Sequence, residues 1–87
     1  MEARAASALA RVVEVSYGGL RLAFEDEPAD VLTSFDVNLP AAGITLTAHR
    51  VWMGPGRERD AYWCGVEVAD TGTSVSSQWR AFVDSVN

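Results

Sequence analysis

Two runs of alternating apolar residues, split by a pair of glycines, constrain this chain more than anything else in it. In RVVEVSYGGLRLAFE, residues 11–25, Val13, Val15 and Tyr17 fall on one side and Val12, Glu14 and Ser16 on the other. After Gly18 and Gly19, Leu20, Leu22 and Phe24 alternate with Arg21, Ala23 and Glu25. A period of two is the mark of a strand with one buried face, and two such runs broken by Gly-Gly predict an antiparallel hairpin. A turn asks for glycine, but it does not ask for a carboxylate and a hydroxyl just ahead of it. Glu14 and Ser16 are therefore candidates for more than turn formation.

The same period continues downstream. SFDVNLP, 34–40, is a short strand closed by Pro40, and AAG turns the chain. ITLTAHRVWM, 44–53, is a long strand in which Ile44, Leu46 and Ala48 share a face; Val51 and Met53 then fall out of phase. A bulge near His49 and Arg50 would produce that slip. GPGRERD, 54–60, has strong turn signals, and AYWCGVEVAD, 61–70, is a strand with Tyr62, Cys64, Val66 and Val68 on its apolar side. EDEPAD, 25–30, is an acidic connection. From Val75 the period changes: Val75, Trp79, Phe82, Val83 and Val86 are spaced by three and four, which predicts a helix over about 73–86 with Thr73 or Ser74 as its cap. Residues 1–10 are alanine-rich and are expected to be a flexible or short helical segment, leaving one domain over 11–87. The residues thus predict an all-β fold, five or so antiparallel strands followed by one helix. Short connections without crossover helices favour a small barrel over a sandwich.

Composition narrows the function classes. A chain of 87 residues has room for one core. A net charge of −5 argues against a broad DNA or RNA surface. The longest apolar runs fall well short of the ~18 residues of a spanning helix, so no membrane insertion is expected. The single cysteine, Cys64, forms no internal disulfide and reads as a small core residue, and nothing resembles a secretory signal; the expected location is cytoplasmic. His49 is the only histidine, which excludes a histidine metal cluster. GPGRER lacks the lysine and the strand-to-helix setting of a phosphate loop. No cofactor and no enzymatic activity are expected. All seven basic residues are arginine. Biased base composition is the favoured explanation; a use in recognising phosphate and guanine is the sharper one, and composition alone does not separate the two.

With these elements in place, the chain resembles the PilZ domain, a bacterial module of cyclic di-GMP signalling. Glu14-Val15-Ser16-Tyr17-Gly18-Gly19 followed by LRL resembles that family's Asp/Asn-x-Ser-x-x-Gly motif at a strand end. AHRVWM and YWCGVEVAD resemble its two long strands, and QWRAFVDSV its C-terminal helix, so the likeness runs from Arg11 to Val86. The resemblance implies a six-stranded antiparallel barrel with one C-terminal helix, acting as a non-enzymatic receptor or adaptor with a protein partner. It implies that Glu14, Ser16 and Gly19 touch a guanine of cyclic di-GMP: Glu14 accepts from the base edge, and Gly19 keeps the approach clear. Arg11 and Arg4 are the upstream cations available to its phosphates.

Two departures stand out. Glu14 replaces the family's Asp or Asn, and the family's Arg-x-x-x-Arg motif is missing, since no two arginines here are four residues apart. Two readings follow: a nucleotide receptor whose arginines are partly absent from this chain, or a module that has lost the nucleotide and binds a protein. From the residues alone, Glu14 on the solvent face of a strand and Ser16 bonded within its own turn are the better account of the same letters, and only the resemblance brings a ligand role level with it.

Overall fold

In the computed structural model, which describes residues 1–26, 28, 33–56, 62–69 and 73–86, the chain is a closed six-stranded antiparallel barrel followed by one helix. The elements are β1 (Glu2–Ala5), β2 (Ala8–Ser16), β3 (Gly19–Phe24), β4 (Ser34–Leu39), β5 (Ile44–Pro55), β6 (Tyr62–Val68) and α1 (Thr73–Val86). Around the barrel the strands run β1-β2-β3-β6-β5-β4, and β4 pairs with β1 to close it. Closure gives each of the six described strands a paired neighbour on both sides. Among the described residues no helix is long and apolar enough to cross a membrane.

The interior is one apolar cluster. Leu22, Val37, Leu39, Leu46, Ala48 and Cys64 are fully buried, with Leu20, Phe24, Phe35, Ile44 and Val66 nearly so. Trp79 and Val83 of α1 belong to the same cluster, so the helix stoppers one end of the barrel. That end carries the β2–β3 turn. The indole Nε1 of Trp79 donates to the Tyr17 carbonyl at 3.0 Å, the Tyr17 hydroxyl bonds the Asp84 carboxylate, and the Arg80 guanidinium stands 4.1 Å from the centre of the Tyr17 ring. Phe82 stacks on Trp79 with ring centres 5.7 Å apart.

Several expectations need correction. Residues 1–10, expected to be flexible or helical, form β1 and the start of β2. Ala3, Ala5 and Ala10 point inward and are buried while Glu2, Arg4 and Leu9 face out. Alanine's helix propensity hid a period of two, and burial in the barrel overrode that propensity. In β2 the register shifts between Val12 and Glu14, a bulge at Val13. Val12 therefore packs on the core, rather than sharing the face of Glu14 and Ser16. Tyr17 lies in the turn, exposed, and Val86 is exposed at the end of α1. The bulge expected near His49 and Arg50, by contrast, is present: the register shifts between Arg50 and Trp52, which brings Met53 back against the core. The side chains of Thr73 and Ser74, residues 27, 29 and 30 of the acidic connection, and Arg57 and Arg59 of the turn over 54–60 lie outside the described residues.

Candidate functional site

The two-residue turn at Tyr17 and Gly18 fixes what faces what. Ser16 pairs with Gly19, Val15 with Leu20, and Glu14 with Arg21. Because β3 continues onto β6 and β6 onto β5, two rows of outward residues cross four strands. One is Glu14–Arg21–Gly65–Trp52; the other is Ser16–Gly19–Glu67–His49. Each row is interrupted by a glycine, and the interruptions make a groove. It holds 330 Å³ and is lined by Glu14, Ser16, Gly18, Gly19, Arg21, Val51, Trp52, Gly65 and Glu67 among others.

The two glycines act differently. A side chain at Gly65 would run into the Trp52 indole, which lies across β6 at that point. A side chain at Gly19 would run into the backbone carbonyl of Val66. Gly19 thus lets β3 and β6 approach, and its missing side chain gives room to the neighbouring strand. Neither Tyr17 nor Gly18 takes a left-handed backbone, so the turn does not use glycine for that purpose. Beside the turn, the Gly18 carbonyl accepts from the Val68 amide at 2.9 Å, tying the hairpin tip to β6.

Arg21 is the centre of the groove. Its Nη1 lies 3.2 Å from Oε2 of Glu14, and its guanidinium stands 5.7 Å from the ring centre of Trp52 and 5.4 Å from that of Trp63. The cation is held by a carboxylate and two indole rings at once. Glu67 adds a second carboxylate, exposed and without an ion pair among the described residues. The described lining therefore sets two carboxylates against one guanidinium. Val51, at the bulge, and Trp52 remain 64% and 42% exposed, an apolar wall beside those charges.

Of the residues singled out in the sequence, Glu14, Ser16 and Gly19 meet in this groove. Arg11 and Arg4 do not line it. Arg11 faces out between Glu2 of β1 and Ala23 of β3, while Arg4 faces out between Leu9 of β2 and Asn38 of β4. The Ser16 hydroxyl donates to the Gly19 carbonyl at 3.4 Å, a long bond inside its own hairpin. Ser16 and His49 sit on strands three steps apart, roughly 14 Å, too far for a shared proton. Arg21 was the residue missed. The signal was present: a two-residue turn at 17–18 places 14 opposite 21, and charges of opposite sign directly across a strand pair attract. Cys64 is buried, and burial pushes its thiol above the ordinary value of 9.0, with Arg50 pulling the other way.

Comparison of the chain with protein-family models, with curated proteins and with solved structures gives no match.

Proposed function

We propose that this chain is a PilZ-like barrel that works by binding rather than by catalysis, and that the groove beside its Glu-Ser-Gly hairpin serves a protein partner rather than cyclic di-GMP. The six-stranded barrel with its C-terminal helix is what the resemblance implies for the fold, and this supports the first part. One observation carries the second: Arg21, the groove's guanidinium, is already bound to Glu14 and to two indole rings. Cyclic di-GMP brings two phosphates, and a phosphate clamp needs guanidinium donors that are not committed elsewhere. Two carboxylates in the same lining oppose such a ligand. At 330 Å³ the groove is also at the low end of small-ligand pockets. A cytoplasmic adaptor role fits this reading.

A second reading is favoured by the half-exposed Trp52 ring, which shares the groove with Glu14, Ser16 and Gly19 and offers a stacking surface for a base. Calorimetric titration of the chain with cyclic di-GMP decides between them. The adaptor reading expects no saturable heat at millimolar ligand. Micromolar binding that disappears in Ser16→Ala and Glu14→Gln would establish the receptor instead.

A further inference from the structure

We propose that the groove receives an arginine side chain from an extended segment of the protein partner, an inference that rests on the adaptor reading above. Three features of the groove converge on a guanidinium. The Trp52 indole lies over Gly65 with the Arg21 guanidinium 5.7 Å from its ring centre, and the residue is still 42% exposed, so part of its surface stays open to an incoming group. Glu14 meets Arg21 through one oxygen, Oε2, and its side chain is 66% exposed, leaving Oε1 to accept a further donor. Glu67, one row along on the same face, carries its charge with no ion pair among the described residues.

A planar cation that stacks on an indole and donates to carboxylates at its edge satisfies all three at once, and among side chains only arginine combines a plane with a fork of donors. Val51, brought to the surface by the β5 bulge, gives an apolar contact for the methylene stem of that side chain. Charge favours the same occupant. The described lining has an excess of one carboxylate, and the whole chain carries −5, so a basic segment is drawn toward this protein and an acidic one repelled. The groove's 330 Å³ suits one long side chain with its flanking backbone.

The test is an amide and indole NMR titration of the full chain with a blocked pentapeptide bearing one central arginine. A citrulline version of equal shape and a glutamate version serve as controls. The expected result is saturable shifts at Glu14, Gly65, Glu67 and the Trp52 indole with the arginine peptide alone. Affinity should fall several-fold between 50 and 300 mM salt, as expected for a charge-assisted contact. Trp52→Ala should weaken binding about fivefold, equal to ~1 kcal/mol for a lost cation–π contact. Glu67→Gln, at an exposed position, should weaken it two- to fivefold by the same scale of exposed-pair energies. Equal shifts with citrulline, shifts spread beyond the groove, or no shifts at all would overturn the proposal. Cyclic di-GMP, added to a separate sample, keeps the parent reading distinct: its binding would overturn that reading, whereas silence from both ligands would overturn only the arginine site.

Discussion

Glu14 and Arg21 stand directly opposite each other across β2 and β3, joined at 3.2 Å on the outer face of the barrel. The pair gives the carboxylate ahead of the glycines a partner within its own hairpin: it neutralises the arginine that the turn brings opposite.

Glu14→Gln removes that neutralisation. The pair is substantially exposed, so stability should fall by only about 0.2–1 kcal/mol in urea unfolding. The larger effect is electrostatic. The described lining changes from two carboxylates against one guanidinium to one against one, with Arg21 released from its partner. Weak binding of inorganic phosphate, absent in the parent chain, should then appear as NMR shifts at Arg21 and Gly65. If the variant and the parent respond identically to phosphate, Glu14 is not what withholds the cation.

Gly19→Ala and Gly65→Ala should separate a structural glycine from a groove-forming one. At position 19 the new methyl meets the Val66 backbone, which belongs to the β3–β6 ladder and cannot swing aside. An overpacking cost of about 2–3 kcal/mol is expected. At position 65 the methyl meets the Trp52 side chain, which can rotate outward. The cost there should stay near ~1 kcal/mol, while the Trp52 indole resonance moves and the ring contact with Arg21 is lost. Equal destabilisation by the two substitutions, measured by thermal unfolding, would contradict this division.

The barrel was legible because most of its strands alternate cleanly. Leu20, Leu22 and Phe24, or Ile44, Leu46 and Ala48, leave no choice of face, and the spacing of Trp79 and Val83 leaves none for the helix. β1 was not legible, since Ala3 and Ala5 are as good in a helix as in a strand and only closure against β4 decides between them. Each bulge shifts the phase by one residue. The slip at Val51 and Met53 betrayed the bulge in β5, whereas Val12 and Val13 are both apolar and concealed the bulge in β2. The groove was half legible. Glu14, Ser16 and Gly19 are neighbours along one hairpin, but Trp52 and Glu67 arrive through the pairings β3–β6 and β6–β5, which a linear reading does not order.

The latch between Tyr17 and α1 should be sensitive to alkali. The hydrogen bond to Asp84, then the charge of that carboxylate and a little desolvation, raise the Tyr17 hydroxyl above its ordinary value of 10.0, against the opposing pull of Arg80. A group with a raised folded-state pKa favours the folded state in its protonated form. Its contribution is therefore complete below pH 10.0 and fades as pH rises through the higher folded value. Tyr17→Phe lacks the hydroxyl and should show no such loss. Melting temperatures of parent and variant, followed from pH 8 upward, should differ at pH 8 and converge above pH 10. Curves that stay parallel would mean that the hydroxyl contributes nothing to helix docking.

Trp79→Phe and Trp79→Ala should divide the same latch into its packing and its hydrogen bond. Trp79 is 2% exposed, packed within the barrel core and stacked on Phe82, so its ring fills the barrel's end. Truncation to alanine leaves a cavity there, and about 3–5 kcal/mol should be lost. Phenylalanine retains much of the apolar contact but has no donor for the Tyr17 carbonyl. The variant should then lose the ~1 kcal/mol of a net hydrogen bond plus part of the volume difference, well short of the alanine cost. Hydrogen exchange gives the finer readout: in Trp79→Ala the α1 amides should lose protection while those of β3 and β6 remain slow. Uniform loss across helix and barrel would show instead that α1 and the barrel unfold as a single cooperative unit.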